Sequence, residues 1–312
     1  MTRRVAIQMD PIEHVNINAD STFVLALEAQ KRGFEVWVHS PDDLIFDDGT
    51  VMIRTRRVTL RREDGNHVNF GPWERLAAQN FNILLLRQDP PYDMHYLTTT
   101  YLLEMVHPDV LVVNDPRAVR DFPEKLFAVH FPSLTPPTMF TRNMSEIKSF
   151  RAKHEDIIVK PLYGNGGAGV FHIMPDDENL GTIIEMLLSS NRDPIVCQKY
   201  LADVRGGDKR IILVDGEAIG VVNRIPAAGD ARANMHAGGQ AVKCKLSDRD
   251  KEICDTIGPV LRNNGLIFVG IDVIGQYLTE INITSPTGIQ EINRFDGANV
   301  EATIWDAIER RL

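Results

Sequence analysis

The chain of 312 residues holds only three cysteines, Cys197, Cys244 and Cys254, an odd number without C-x-x-C spacing. That scarcity excludes a disulfide framework and a structural zinc site of ordinary spacing, and it suits a reducing compartment. Positive charge is also short: 34 Lys and Arg face 43 Asp and Glu, a formal net charge of −9. General binders of nucleic acid or anionic membrane carry the opposite balance, so neither is expected as a partner. An anionic ligand would need a local basic cluster. No apolar run approaches membrane-spanning length, and the first ten residues carry charge but no apolar signal-peptide region. A cytoplasmic location is therefore expected. G-x-x-x-x-G-K-[ST], G-x-S-x-G and H-E-x-x-H are all missing, and His154, His172 and His236 show no ligand spacing.

What is present reads first as an α/β fold. Apolar patterning predicts a strand at Val5–Met9, a helix at Ser21–Arg32 closed by Gly33, and a strand at Glu35–His39. Such a strand–helix–strand opening suggests a parallel sheet. A hairpin over Val51–Leu60 and His67–Phe70, a strand at Ile83–Arg87, a helix at Thr98–Val106 and a strand at Val110–Val113 continue a first domain, residues 1–122. Prolines from Pro123 to Pro137 mark a boundary, and the texture turns α+β. Two further units are expected, 123–200 and 201–312. They hold helices at Ile147–Lys153, Leu180–Ser189 and Lys251–Asn264, a strand at Pro194–Tyr200, and hairpins across Asp215-Gly216 and Gly275-Gln276. Pro226–Gln240 has no apolar periodicity, and a loop that long is usually functional.

The stretch KPLYGNGGAGVF, Lys160–Phe171, sets Gly164, Gly166 and Gly169 at G-x-G-x-x-G spacing. A dinucleotide-binding turn would open a helix there. Instead Val170–Met174 reads as a strand, so the glycines join two strands as a hairpin. Such a flap can cover phosphates with its N–H groups while Lys160 at its root reaches them with a charge; an ordinary flexible hairpin fits the stretch equally well.

In GIDVIGQYLTEINITSPTG, Gly270–Gly288, Glu280 and Asn282 are two apart on a strand and share a face, and the hairpin brings Asp272 beside them. Two carboxylates and an amide oxygen suit Mg²⁺, and clustered, largely buried carboxylates need a cation; solvated residues on a half-exposed hairpin are the weaker alternative. Lys125, Lys160, Arg210 and Arg224 supply the positive charge that the whole chain lacks, although each alone would most often be a surface ion-pair partner.

Pro123–Phe127, the Lys160-Pro161 glycine flap, GDKR at Gly207–Arg210, TEINITSPTG at Thr279–Gly288, DPIEHVNINADSTFVLALEAQKRG at Asp10–Gly33 and RQDPPYD at Arg87–Asp93, taken in order, resemble the ATP-grasp superfamily. More closely, they resemble its bacterial glutathione synthetase type. The resemblance runs nearly end to end but assigns nothing to the segment from Phe295 on. It implies a pre-ATP-grasp α/β domain followed by a two-part ATP-grasp fold, and ligation of γ-glutamylcysteine to glycine at the expense of ATP. It implies two Mg²⁺ ions on Asp272, Glu280 and Asn282, with Mn²⁺ able to replace them. ATP would be held by Lys125, Lys160, Gly164, Gly166, Gly167, Gln198, Lys199, Tyr200, Leu201 and Asp208. Arg210 would act on the reacting centre, and Arg224, Ser285 and Thr287 would join it in binding substrate. The flap and Pro226–Gln240 would serve as lids, and a homotetramer is implied. A D-alanine–D-alanine or ribosomal-protein glutamate ligase is the nearest rival, disfavoured by the N-terminal match. A nucleotide-binding module without turnover is disfavoured by the complete metal set.

Overall fold

In the computed structural model, residues 2–190, 192–228, 232–233 and 238–312 are described. The first sheet has seven strands: β1 (Arg4–Gln8), β2 (Glu35–His39), β3 (Leu44–Asp47), β4 (Thr50–Leu60), β5 (Val68–Ala77), β6 (Ile83–Leu86) and β7 (Leu111–Val113). Their order is β3-β4-β2-β1-β6-β7, with β5 on the outer side of β4. β1, β2, β6 and β7 are mutually parallel, while β4 runs against β2, β3 and β5. Helix α1 (Ser21–Lys31), with its start capped by the Asp20 carboxylate, packs on one face, and α2 (Met94–Glu104), capped by Asp93, packs on the other. The chain leaves β1 toward β2 on one side and reaches β6 on the other. The crevice at the C-terminal ends of β1 and β6 is therefore the switch point where α/β sheets usually bind ligands.

A four-stranded sheet follows, β8 (Thr138–Thr141), β9 (Ile157–Pro161), β10 (Phe171–Ile173) and β11 (Ile195–Lys199), in the order β10-β9-β11-β8. Short helices α3 (Pro116–Asp121) and α4 (Glu124–Ala128) lead into it, and α5 (Met144–His154) and α6 (Leu180–Ser190) cover it. The third sheet has five strands: β12 (Asp208–Val214), β13 (Glu217–Ile225), β14 (Gln240–Lys243), β15 (Phe268–Ile274) and β16 (Tyr277–Asn282), ordered β14-β13-β12-β15-β16. Amphipathic α7 (Asp248–Asn263) packs beneath it through Ile253, Ile257 and Leu261.

The chain after β16 forms α8 (Ile289–Asp296) and α9 (Val300–Glu309); the segment from Phe295 on, given no role from sequence, supplies the end of α8 and all of α9. Trp305 of α9 is fully buried and donates its indole N–H to the Leu25 carbonyl of α1 at 2.8 Å. One apolar core thus joins α1 and the first sheet to Ile212, Val222 and Ile292 of the C-terminal part.

Three expectations about element bounds need correction. β5 continues to Ala77 rather than ending at Phe70, because an edge strand paired only with β4 tolerates Gly71-Pro72 beside a register shift between Arg56 and Val58. α2 starts four residues earlier than its apolar pattern indicates, at its Asp93 cap. β14 starts at Gln240, the last residue of the tract read as an unstructured loop; half of the other fourteen positions of Pro226–Gln240, His236 among them, lie outside the described residues.

Candidate active site

Every candidate named from the sequence lines one cleft between the four- and five-stranded sheets. β9 and β10 pair antiparallel, with Phe171 opposite Val159, so the glycine stretch is a hairpin connection and opens no helix. Gly166, Gly167 and Gly169 have φ of 61°, 82° and 70°, left-handed angles that a Cβ strains. Pro161 also closes on Gly169, whose Cβ would lie 2.9 Å from the proline Cγ. The flap is fastened from outside: Lys125 of α4 donates its ammonium to the Gly164 carbonyl at 2.6 Å.

The floor is the five-stranded sheet. Asp272 of β15 stands opposite Glu280 of β16, and Asn282 follows two residues on, so the three share one face. A bulge after Asp272 leaves Thr279 as an extra residue, and its hydroxyl donates to the Asp272 carbonyl at 3.1 Å. From the neighbouring β12 and β13, Arg210 grips Asp272 with two bonds of 2.6 and 3.1 Å. Arg224 lies 2.6 Å from Asp208 and 3.0 Å from Asp272. Glu280 takes Lys160 at 3.0 Å and Lys125 at 3.7 Å.

These contacts decide the charge states. Burial raises a carboxyl's pKa, but the two guanidiniums outweigh it at Asp272 and hold that group far below the usual range. Lys125 and Lys160 likewise outweigh burial at Glu280 and lower it. Asp208 goes the other way: burial, with the nearby Asp272 charge, overcomes Arg224 and pushes it up to about 7. Glu124, which the sequence reading did not single out, is also pushed up by burial although it bonds Lys125. The signal for it was weak, a lone glutamate in a proline-marked segment.

Clustered carboxylates here are thus met by four basic side chains, so their clustering alone does not demand a metal. The donor chemistry nevertheless fits Mg²⁺. Asp272, Glu280 and Asn282 offer only hard oxygen ligands, too few to complete a coordination sphere, which leaves positions for phosphate oxygens. The Asn282 amide nitrogen is buried with no hydrogen-bond partner among the described residues, an orientation in which its oxygen is the available ligand.

The remaining candidates fall where β11 leaves the second sheet and where β16 gives way to α8. Gln198, Lys199, Tyr200 and Leu201 form one wall, with Tyr200 stacked on His172 at 3.9 Å between ring centroids. Ser285 and Thr287 lie on the loop opposite, where the Thr287 carbonyl accepts from Arg210 at 3.2 Å. Arg232 and Ala233, from the long loop after β13, also line the cleft, as do Asp89 and Pro90 of the first domain.

The fold is similar over 99% of the chain to a solved D-cycloserine synthetase (TM-score 0.71, 13% identity, covering 100% of that chain). It is also similar over 100% to a D-alanyl-alanine synthetase A from Vibrio cholerae (TM-score 0.65, 14% identity, 99% of that chain). Residues 124–297 match the family model of the prokaryotic glutathione synthetase ATP-grasp domain, and residues 4–120 that of its N-terminal domain. Fold, cleft and match together define an ATP-grasp enzyme, an ATP-dependent carboxylate–amine ligase. A glutathione synthetase from Brucella melitensis is 54% identical over 100% of both chains, and one from Vibrio cholerae is 43% identical over 99% of this chain and 98% of its own. The chain belongs to the prokaryotic glutathione synthetase family.

Proposed function

We propose that the protein joins γ-L-glutamyl-L-cysteine to glycine with ATP, giving glutathione, ADP and phosphate. A carboxylate is a poor electrophile. An oxygen of the cysteinyl carboxylate therefore attacks the γ-phosphorus, ADP leaves, and an acyl phosphate results. The glycine amine then attacks the acyl carbon, forms the amide bond and expels phosphate. Both steps need positioning and charge neutralisation more than a protein nucleophile.

The residues divide this work as follows. Gly164, Gly166 and Gly167 close over the phosphates, with Lys125 and Lys160 supplying positive charge to them. Gln198, Lys199, Tyr200 and Leu201 meet the adenine, and Asp208 accepts from the ribose. Arg210 stabilises charge on the acyl phosphate and on the later oxyanion, while Arg224, Ser285 and Thr287 hold substrate carboxylates. Asp272, Glu280 and Asn282 would hold two Mg²⁺ ions, or Mn²⁺ in their place, whose chemistry is to neutralise the phosphate charge. Arg210 and Arg224 pair with Asp272, and Lys125 and Lys160 with Glu280, so binding would be an exchange of partners: the lysines would turn to phosphates and the arginines to the substrate, which would free the carboxylates to hold metal. The acyl phosphate is hydrolysable, so the flap must exclude water. We further infer three units over 1–122, 123–200 and 201–312, a cytoplasmic location and a homotetrameric assembly.

The observation that supports this reading best is the meeting of the flap, the lysine pair and the Asp272/Glu280/Asn282 set in one cleft of a chain of this family. The test is ADP release with γ-glutamylcysteine, D-alanine or glutamate as donor, each with and without glycine. Release should require γ-glutamylcysteine and glycine together. With ¹⁸O in the cysteinyl carboxylate, one labelled oxygen should appear in the released phosphate; unlabelled phosphate excludes the acyl-phosphate route.

A further inference from the structure

Three tyrosines form a pile that runs from the core of the first domain to the flap. Tyr96 of α2 is fully buried, and its ring packs on Tyr92 at 5.2 Å between centroids. Tyr92 in turn stacks on Tyr163 at 5.6 Å, with 29° between the ring planes. Tyr163 stands directly before Gly164, where β9 has ended and the glycines begin. Tyr92 is itself fixed: its hydroxyl donates to the Arg120 carbonyl at 2.5 Å, with the Val119 carbonyl at 3.2 Å sharing the proton. These carbonyls belong to the last turn of α3, where no partner exists within the helix. Burial raises the Tyr92 phenol well above its usual range, so it stays a donor.

The pile meets a segment that is costly to order. Gly164, Gly166, Gly167 and Gly169 crowd into six positions, and glycine loses more conformational freedom than any other residue when held in place. Lys125 ties Gly164 by charge, and Tyr92 ties Tyr163 by ring contact. The first tie is conditional, because a nucleotide phosphate competes for the Lys125 ammonium. The second is not: both rings lie outside the cleft lining, and their contact carries no charge to exchange. The loop that carries Tyr92 lines the cleft at Asp89 and Pro90, so the contact runs from one wall of the cleft to its cover.

We propose that Tyr163 is a positioning residue for the flap and Tyr92 its seat: the stack holds the flap shut while Lys125 turns to phosphate, and so keeps water from the acyl phosphate. The protected step rests on the ligase reading above; the latch rests on ring geometry alone. Where the latch fails, water replaces the amine. Its oxygen bonds the acyl carbon, the bond from that carbon to the phosphate oxygen breaks, and the carboxylate is regenerated. One proton of the water goes to the phosphate and the other to solvent, so the net result is hydrolysis of ATP to ADP and phosphate.

Two measurements test the latch and its role separately. The first is hydrogen exchange, read by mass spectrometry, of the flap peptide 162–171 in the ligand-free full chain. An aromatic pair shifts an open–closed balance by roughly two- to tenfold, so Tyr163→Ala and Tyr92→Leu should each speed exchange by that factor. If either variant does not fold, the other removes the same contact. Tyr163→Phe, which keeps the ring, should stay within about twofold of wild type. The double variant should be no faster than the faster single one, because both changes remove one contact. Wild-type exchange in Tyr163→Ala, or exchange equally fast in Tyr163→Phe, overturns the latch. The second measurement is the ratio of ADP to glutathione. Wild type should release one ADP per glutathione. In Tyr163→Ala the ratio should exceed one and climb as glycine is lowered, because water then competes better with the amine; Tyr163→Phe should restore it. A loss of folded enzyme lowers both products together and leaves the ratio unmoved, so faster exchange with a ratio of one overturns the protective role. A wild type that makes no glutathione, with exchange still faster in the two variants, sinks the ligase reading and leaves the latch standing.

Discussion

In and just beyond the seven-stranded sheet, His39 and Arg87 are buried without an ion-pair partner among the described residues, whereas in the five-stranded sheet Asp208, Arg210, Arg224 and Asp272 are buried together. The consequences are opposite. His39 is driven to its neutral form: burial lowers its pKa to about 4, against a carbonyl bond to Ser40 and the nearby Asp43 charge. Asp272 is driven to its charged form because two guanidiniums outweigh the same burial. Burial alone therefore says little about charge; the partners decide it. On the proposed function, in which this sheet would present its charges to a nucleotide and a metal, mutual compensation would keep them ready to exchange.

The largest effect should come from unbalancing that set. Asp272→Asn preserves shape but leaves Arg210 without its bidentate partner and Arg224 with Asp208 alone. Removing one member of a buried ion pair costs about 3–5 kcal/mol, so the urea midpoint should fall accordingly. Turnover should fall on the order of 10³-fold or more, with poor rescue by excess Mg²⁺. A variant with normal stability and near-normal turnover would show that the guanidiniums do not depend on this carboxylate, and the contrast between the sheets would collapse.

Much of this was legible in the sequence where local pattern and chemistry coincide. The alternation around Glu280 and Asn282 fixes a common face, and the Gly275-Gln276 turn fixes their hairpin partner, so Asp272 could be placed without coordinates. The glycine flap was legible because a strand, and no helix, follows it. What escaped was set by tertiary context. Pro72 reads as a strand breaker, yet β5 has a free edge on which a missing N–H is harmless. Trp305 and its neighbours show helical spacing, but only the α1 surface explains why that helix is buried. The pairing of Asp272 with Arg210 and Arg224 depends on β12 lying between β13 and β15, a sheet order that sequence spacing does not disclose.

The flap differs from both sheets, since it stores its constraint in the backbone rather than in charge. Gly166 has φ of 61° and open space where a Cβ would point, so a side chain there meets no obstacle except its own backbone preference. An L-residue held left-handed costs about 1–2 kcal/mol, and a β-branched one lies at the upper end. Gly166→Val should therefore lower kcat/KM for ATP by up to roughly thirtyfold, the equivalent of about 2 kcal/mol, and lower unfolding stability by no more than that same strain. Steady-state kinetics that match the wild type would sink the flap assignment.

The smallest effect tests the lone group of the first sheet. In the neutral tautomer with the proton on Nδ1, His39 donates that N–H to the Ser40 carbonyl, 2.9 Å away, while its Nε2 is buried without a partner among the described residues. Protonation would bury a charge. Unfolded histidine titrates near 6.5 and the folded one near 4, so between these values the unfolded chain binds the proton and the folded chain does not. The stabilisation is fully present above pH 6.5 and is lost as pH falls toward 4. From pH 7 to pH 5.5 this one group should remove about 1 kcal/mol. His39→Phe, similar in shape and without the proton site, should lose correspondingly less over the same interval when urea midpoints are compared. Parallel losses in the two proteins would mean that His39 is not held neutral, and the first sheet would then handle its buried charge no differently from the second.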